Sequence, residues 1–306
     1  MNSFLTNASA MIVLQSLNGT QRDLETTQGR ISTGMRVNTA SDNAAYWSIA
    51  TTMKSDKQAL SSVQDALGFG SATIDVANSA LEGTIKVIDL IKSKLVAARE
   101  PGIDRTKVQG EISQMQEQLK SIASSAVFSS ENWLSQNSAS AGYTTTKSIV
   151  ASFSRVEGQI VVGTINIDTA SVKLYDSNDQ SGIIDKDRTS ELTTIALADI
   201  DISALTDASA DLTVLEEYIR IADASLSDVT LAASNLGSAK QRLTLQQDFV
   251  TSLLDAVTRG IGQLVDTDMT RESTRLQALQ AQQQLAVQAL GIANSNSQII
   301  LKLFGG

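Results

Sequence analysis

The sequence predicts a mainly α-helical protein: a long antiparallel rod of coiled-coil-like helices from both chain ends, with a small β-containing insert between them. Hydrophobic residues make up 42% of the 306 residues but aromatic residues only 4%, so the core must consist of Ala, Leu, Ile and Val, as in packed helices. Pro101 is the single proline, and proline is the residue that helix interiors exclude most strongly. We therefore expect long, uninterrupted helices.

The first rod helix is predicted from a heptad repeat, in which apolar residues recur at every seventh position. One file of this repeat is Met53, Leu60, Leu67, Ile74, Leu81, Ile88 and Leu95. A companion file is Val63, Gly70, Ala77, Thr84, Ile91 and Ala98. Two such files form a seam along which one helix packs on another. The repeat predicts a helix of roughly 60 Å whose rod seam contains Leu60, Leu67, Ile74, Leu81 and Ile88.

Two further helices follow from three-four spacing. After the break at Glu100, Pro101 and Gly102, a shorter helix is predicted by Val108, Ile112, Met115, Leu119, Ile122 and Ala126. A much longer helix is predicted between residues 212 and 264, where Lys240 and Gln247 alone interrupt the pattern. At nearly 80 Å by standard rise, this helix matches the first in scale, so we expect the two to lie side by side.

The chain ends carry weaker stripes that include small residues. The N-terminal stripe is Ala10, Val13, Leu17, Leu24 and Ile31, and the C-terminal stripes are Ala278, Leu285, Ile292 and Ile299 beside Leu279, Ala286, Ala293 and Ile300. A helical hairpin of this size buries too little surface to offset an ordering cost of about 1 to 2 kcal/mol per residue. We expect it to order fully when many copies pack together, with a subunit interface at Leu17, Leu24, Ile31, Leu285, Ile292 and Ile299.

The middle of the chain, residues 141–205, lacks the helical period. Strands are predicted at Ser148–Val156, Gln159–Ile167 and Ser171–Tyr175, and a turn cluster follows from Tyr175 to Gly182. The segment holds nine Asp and Glu against five Lys and Arg. It is predicted to be a small, acidic, partly β insert between two helical arms.

The composition excludes most catalytic chemistry. Histidine and cysteine are both absent, which removes Ser-His-Asp and Cys-His catalysis, the common zinc sites, and haem ligation through either residue. Asp266, Asp268 and Glu272 lack the glycine and the spacing of a calcium loop, so we assign them to helix ends and polar faces. No enzyme activity, cofactor or metal is expected.

The charge balance limits the partners. A formal net charge of −9 and an isoelectric point near 4.6 disfavour nucleic acid, which is bound largely through clustered Lys and Arg. No stretch approaches the roughly 20 apolar residues of a membrane span, and the run Met11–Leu14 is too short for a signal-peptide core. We expect no membrane partner, and an export route without a cleaved signal if the protein leaves the cell.

One motif is dense enough to indicate a family. Residues 28–45 read QGRISTGMRVNTASDNAA, and residues 276–280 and 299–303 read LQALQ and IILKL. These segments resemble the signature after the N-terminal helix, and the C-terminal helix, of bacterial flagellin. The likeness covers residues 1 to about 135 and 206–306, and departures at residues 41–47 and 89–95 resemble flagellins of plant-associated alphaproteobacteria.

The resemblance implies a secreted, extracellular subunit that self-polymerises into the helical filament of the bacterial flagellum. It implies inner-tube helices with a linking spoke at 1–40 and 266–306, a rod at 41–140 and 206–265, and a surface insert at 141–205. The implied partners are other flagellin copies, with paralogues left open, and an export chaperone, a cap and junction proteins. Alternatives are a hook–filament junction adaptor, or a secreted coiled-coil adhesin, which would explain the heptads but not the signature.

The spoke residues are Gly34, Arg36, Asn38 and Asp42. We expect Gly34 to end the first helix in a left-handed conformation, and Ser41 or Asp42 to cap the next helix. Arg36 and Asp42 either pair or form an ordinary solvated loop. Beyond the spoke, we expect Tyr46 and Trp47 to be buried against a neighbouring helix, with a contact to another subunit as the alternative.

Overall fold

The computed structural model describes residues 7–190 and 192–304, and side chains as far as Ser295, and it is built mainly from helices. The helices are α1 (Ala8–Thr33), α2 (Ala44–Ala97), α3 (Arg105–Ser125), α4 (Ser209–Val265) and α5 (Met269–Phe304). Among the described residues, eight strands and one 3₁₀ turn, Leu197–Asp199, lie between α3 and α4. The predicted fold class, helices from both chain ends around a small β-containing insert, is therefore confirmed.

The chain divides into two compact units. The terminal unit comprises the described part of residues 1–57 and 255–306, and the central unit comprises residues 58–254. The domain boundaries predicted from the sequence, at residues 40, 140, 205 and 265, are finer than this division and remain predictions. Residues 1–6, 191, 305 and 306, which fall in the predicted domains, lie outside the described residues.

The core of the central unit is a seam of aliphatic side chains along α2. Leu67, Ile74, Leu81 and Ile88 are fully buried, and Leu60 is nearly so. The four fully buried α2 residues pack in one cluster with fully buried residues of α3 and α4, among them Ile112, Leu119, Leu215, Val229 and Leu243. Because these side chains carry no polar atoms, burial of their surface stabilises the bundle at about 25 cal/mol per Å².

Ion pairs line the edges of this core. Lys92 pairs with Asp223, and Lys240 pairs with Asp75, so that both bridges join α2 to α4. Lys240 is one of the two residues that interrupt the apolar pattern of α4, and its ion pair with Asp75 accounts for its position. All four side chains are substantially exposed, so each pair contributes about 0 to 1 kcal/mol and mainly favours one register of the two helices.

The turn between α2 and α3 is fastened by a buried arginine. Arg105 donates through Nε to the carbonyl of Ala98 (3.0 Å) and through Nη2 to Asp207 (2.7 Å). Gly102 adopts a left-handed conformation with φ of 79°, and Asp104 caps α3 by accepting from the backbone N–H of Lys107. The turn predicted from Pro101 and Gly102 is thus stabilised by the Arg105–Asp207 ion pair as well as by the left-handed conformation of Gly102.

A two-residue hairpin follows α3. Strands β1 (Val127–Phe128) and β2 (Glu131–Asn132) pair antiparallel around Ser129 and Ser130, whose φ angles are 49° and 69°. Positive φ at both central positions matches the right-handed twist of the strands, but it favours Asn and Gly over Ser. The two serines therefore store backbone strain, which the surrounding contacts overcome.

The insert contains a long antiparallel hairpin of β4 (Thr146–Val156) and β5 (Gln159–Asp168), at the two positions where strands were predicted first. A bulge between Val150 and Ser152 interrupts the ladder. At the base of the hairpin, side chains including Ile149 and Ile165 join the core of the central unit. Gly70 of α2 makes room for them, because a Cβ there would lie 2.5 Å from Cδ1 of Ile149.

The third predicted strand, Ser171–Tyr175, is wrong for most of its length. The carbonyl of Thr169 accepts from the N–H groups of Val172 and Lys173, which makes residues 169–173 a turn. The remaining strands are two-residue pairs. They are β3 (Ser135–Gln136) parallel to β6 (Tyr175–Asp176), and β7 (Arg188–Thr189) antiparallel to β8 (Thr194–Ile195).

A buried ion pair organises the loop after this turn. Lys173 Nζ donates to Asp176 Oδ2 (2.7 Å), and both side chains are almost completely buried. Burial opposes ionisation of Asp176, but the ammonium and the N–H groups of Ser138 and Asn178 outweigh it and hold the pKa of the carboxyl far below its usual value. The buried carboxylate of Asp176 is thus neutralised by Lys173 of the same chain.

Ser130→Gly is expected to stabilise the protein by about 1 kcal/mol, because glycine adopts φ of 69° without steric cost. Ser93→Gly is the matched control, since the same substitution at an exposed position of helix α2 should destabilise by about 0.5 kcal/mol. Urea unfolding of the monomer measures both. Equal destabilisation by the two substitutions would contradict the strain assigned to the turn.

Candidate assembly site

The terminal unit contains a hairpin of two helices, α1 and α5, that run antiparallel. Leu24 and Thr27 of α1 and Leu279 of α5 are buried between them, and Leu17 and Ile31 are partly buried. These residues are spaced at three, four and seven positions along α1, so they lie on one helix face. Much of the apolar surface of the predicted α1 stripe is therefore buried within the hairpin.

Three polar contacts set the register of the hairpin. Arg30 Nη1 donates to Glu272 Oε1 (3.2 Å), Gln283 Nε2 donates to Gln21 Oε1 (2.8 Å), and Asn7 Nδ2 donates to the carbonyl of Ala293 (3.0 Å). The contacts are distributed from one end of the hairpin to the other. Sliding α5 by one turn would break all three, so they select a single alignment of the apolar faces.

A second set of apolar side chains on the same helices faces outward. These residues, which are 47 to 68% exposed, are Met11, Ile12 and Leu14 of α1 and Leu285, Val287 and Ile292 of α5. Leu285 and Ile292 belong to the predicted interface, whereas the three α1 residues lie off the predicted stripe. Ile299 belongs to α5, but its side chain lies outside the described part of the chain. A surface this apolar on two adjacent helices is typical of an interaction site.

The spoke connects α1 to the junction of α4 and α5. Gly34 ends α1 with φ of 71°, the expected left-handed conformation, and its carbonyl accepts from the N–H of Thr267 (3.0 Å). The N–H groups of Arg36 and Val37 both donate to the carbonyl of Val265, at 2.6 and 3.2 Å. Backbone hydrogen bonds therefore join the spoke to the segment between α4 and α5.

Arg36 caps the end of α4. Its Nη2 donates to the carbonyls of Gln263 (3.3 Å) and Leu264 (3.1 Å), which have no partner within the helix at that end. A cation also interacts favourably with the negative end of the helix dipole. The guanidinium is thus directed to α4 rather than to Asp42, and the pairing considered from the sequence does not form.

Asp42 stabilises the spoke by accepting hydrogen bonds from residues of the same segment. Its Oδ2 accepts from the N–H of Thr39 (2.9 Å), the N–H of Asn38 (3.0 Å) and the hydroxyl of Thr39 (3.1 Å). The N–H groups of Thr39 and then Asn38 lower the pKa of the Asp42 carboxyl below its usual 3.8. Asn38 contributes its backbone to this contact, and its side chain is exposed.

The cap of α2 is Asn43, one residue beyond the predicted positions. Its Oδ1 accepts from the N–H of Tyr46 (3.0 Å), so the expectation that Ser41 or Asp42 caps this helix is wrong. Asp42 is unavailable because its carboxylate already serves the spoke. At the start of α5, Asp268 accepts from the N–H groups of Thr270 and Arg271, which agrees with the structural role expected for that residue.

A small apolar cluster lies beneath the spoke. Val37, Ala50, Ile261 and Val265 are buried together, with Met53 packed against them. Gly260 fits beside Met53, because a Cβ there would lie 3.0 Å from the Met53 methyl carbon. Sequence reasoning missed Val37 as a buried residue, although its apolar side chain between Arg36 and Asn38 was the available signal.

Tyr46 and Trp47 are exposed to 42 and 39%, so the first interpretation, burial against a helix of the same chain, is wrong. With Ile49, which is also exposed, they form an aromatic and aliphatic patch at the start of α2. Large apolar groups left in solvent favour the alternative interpretation, a contact with another subunit.

Within the described residues, no helix is long and apolar enough to cross a membrane. Long helices packed through an aliphatic seam, together with a terminal hairpin that leaves apolar side chains of both its helices in solvent, are typical of a self-assembling structural subunit.

Comparisons with known proteins agree. The family models for the bacterial flagellin N-terminal helical region and C-terminal helical region match residues 4–139 and 219–304. Flagellin C of Rhizobium meliloti strain 1021 is 47% identical over 321 residues, covering 99% of both chains. Flagellin A of the same strain is 41% identical, covering 99% of this chain and 100% of that one. A flagellin of Brucella melitensis biotype 1 is 41% identical over 307 residues and covers both chains completely.

The chain belongs to the bacterial flagellin family. It is a structural subunit of the flagellar filament, and nothing in the matches supports a junction adaptor or an adhesin. The segment between the two matched regions contains the β4–β5 hairpin.

Asp42→Asn should loosen the spoke at neutral pH and remove one step of its acid sensitivity. A carboxyl whose pKa is lowered on folding stabilises the folded state above its unfolded pKa, and this contribution is lost as the pH falls through the lower folded value. In the wild type, the amide proton shifts of Asn38 and Thr39 should therefore titrate below pH 3.8. The same NMR titration of the variant should be flat, and an unchanged midpoint would contradict the assignment.

Proposed function

We propose that subunits polymerise by burying the outward apolar face of the terminal hairpin against neighbouring copies. The observation that carries this proposal is the exposure of Ile12, Leu285 and Ile292, each to more than 60%. The opposite faces of the same helices already pack on each other, so the outward face has no use within the single chain. Copies of the same hairpin supply a surface of matching chemistry.

The energetics favour assembly from many such contacts. Complete burial of one Leu, Ile, Val or Met side chain contributes about 1.5 to 3 kcal/mol, and the outward face has six of them. Association costs an estimated 4 to 15 kcal/mol, which a single buried side chain cannot offset but a set of this size can. In this proposal the exposed side chains of α1 and those of α5 contact different neighbours, which makes the interface heterologous and generates an open helical polymer.

The spoke gives this assembly its alignment. Three backbone hydrogen bonds join residues 34–37 to residues 265–267, and Arg36 adds two more to the end of α4. The hairpin is thereby held to the ends of α2 and α4 by residues of the family signature. We assign residues 1–40 and 266–306 to the inner tube, 41–140 and 206–265 to the rod, and 141–205 to the solvent-facing insert.

The proposed location is the extracellular filament, reached by export of the unfolded chain through the flagellum's own channel. The family's filament is extracellular, which supports the location. An export chaperone, a cap and junction proteins complete the proposed set of partners. Rhizobium meliloti has flagellins A, B, C and D, and this supports filaments that mix this chain with paralogues. The role is structural and involves no catalysis.

Leu285→Asp is expected to block polymerisation while leaving the monomer folded. Leu285 is 64% exposed in the single chain, so the substitution removes little internal contact. Loss of its burial in the polymer, at about 1.5 to 3 kcal/mol, raises the critical concentration by roughly tenfold to a hundredfold. Elongation of short filament seeds, followed by electron microscopy, measures the effect. Normal elongation by the variant would overturn the proposal.

Two control variants separate assembly from folding. Gln284→Asp introduces the same charge at the adjacent exposed position without removing apolar surface, so it should raise the critical concentration less. Leu24→Asp places a charge in the buried face of the hairpin and should lower the helix content of the monomer as well as blocking assembly. Circular dichroism of the three monomers distinguishes these cases.

A further inference from the structure

Met11 has the only sulfur-containing side chain on the outward apolar face of the terminal hairpin. The other residues of that face have pure hydrocarbon side chains, and they are Ile12, Leu14, Leu285, Val287 and Ile292. Met11 is 60% exposed in the single chain. Because Leu14 follows it by three residues in α1, the two side chains lie on the same side of the helix, and the thioether is part of a continuous apolar surface.

The exposure of Met11 distinguishes it from the other methionines that the structure describes. Met35 and Met53 pack against the cluster beneath the spoke, and Met115 packs against the cluster of the α2 seam. Met269, at the start of α5, is 47% exposed but does not belong to the outward face. Met11 is therefore the most accessible of the described thioethers, and the chain has no cysteine that would compete for an oxidant.

Hydrogen peroxide oxidises an accessible thioether by transfer of one oxygen atom. A lone pair of the sulfur attacks one peroxide oxygen, the O–O bond breaks, and the departing hydroxide takes the proton of the transferred oxygen to form water. The sulfur loses two electrons and the peroxide gains them, so no further reactant is needed. The product, methionine sulfoxide, has a polar S–O bond where the thioether was apolar.

We propose that Met11 is a redox modification site, and that its oxidation to the sulfoxide prevents the subunit from polymerising. The inference rests on the proposed function, because the polarity of this side chain matters only if the outward face is buried in the polymer. In the single chain, water donates hydrogen bonds to the sulfoxide oxygen. Burial against aliphatic side chains of a neighbouring copy removes these hydrogen bonds without replacing them, which opposes assembly.

The modification acts on the free subunit and not on the polymer. Assembly covers the outward face, so the sulfur of Met11 is protected from peroxide in the filament and open to it in the monomer. The oxidation is reversible, because methionine sulfoxide reductases return the sulfoxide to the thioether and a dithiol supplies the two electrons. Met11 thus makes growth of the polymer depend on the oxidants to which its free subunits are exposed.

Peroxide treatment of purified monomer tests the proposal. Mass spectrometry locates the added oxygen, and elongation of untreated filament seeds measures the critical concentration. Oxidation of the wild type at Met11 should raise the critical concentration roughly tenfold or more, with no loss of helix content by circular dichroism. Methionine sulfoxide reductases A and B with a dithiol should then restore elongation, because each enzyme reduces one epimer of the sulfoxide.

Two variants identify the thioether that is responsible. The critical concentration after peroxide is divided by the critical concentration before it, within each variant. Met11→Leu conserves the apolar volume and cannot be oxidised, so this ratio should stay within about twofold of one. Met269→Leu is the matched control, because it removes the other exposed thioether and keeps Met11, so its ratio should equal that of the wild type.

The results distinguish the two levels of the proposal. Failure of untreated wild-type monomer to elongate the seeds would overturn the proposed polymerisation. Normal elongation by wild type that is fully oxidised at Met11, or an equal ratio for Met11→Leu and the wild type, would contradict the role of Met11 alone. Oxidation of Met11 in preformed filaments as fast as in monomers would also contradict it, because the sulfur would then not be covered by a neighbouring copy.

Discussion

The rest of the structure depends on burial of the α2 seam. Leu67, Ile74, Leu81 and Ile88 are fully buried, and their spacing of seven keeps one face of a 54-residue helix turned toward its neighbours. The shorter α3, the base of the β4–β5 hairpin and the segment around Leu197 all join this one cluster. Because the seam is aliphatic and continuous, it forms the centre of the core, and the aromatic residues Trp133 and Tyr218 are buried in the same cluster.

The terminal unit obeys a different constraint, since its helices divide their apolar residues between two uses. One face of α1 packs on α5 around Leu24 and Leu279, which makes the hairpin a defined object in the single chain. The other face leaves residues such as Ile12 and Leu285 in solvent. A helix that buried all of its apolar residues within the chain would leave no apolar surface for a neighbouring subunit, and one that buried none would not pack in a fixed position. Because the two helices do some of each, the hairpin can both fold in the single chain and bind another copy.

The sequence predicted the fold class and the long helices because a seven-residue period has few structural interpretations. It failed where local chemistry allows several outcomes. Val172 and Leu174 alternate as in a strand, but both are buried from a turn that Thr169 closes. Ser41, Asp42 and Asn43 are all competent helix caps, and the choice of Asn43 follows from backbone groups of Asn38 and Thr39 that occupy Asp42. Arg36 was placed in the spoke, but its helix-end partners are 227 residues away or more in sequence.

The buried Lys173–Asp176 pair has a consequence for the environment in which the insert is stable. Loops rich in Asp, Asn and Ser are often held together by calcium, and such loops loosen when the ion is diluted or chelated. Here an ammonium joined covalently to the chain occupies the centre of the loop and donates to Asp176 and Ser181. An internal cation is present at the same stoichiometry in any medium. The Asp176 carboxylate of this loop is therefore neutralised in soft water and in the presence of chelators alike.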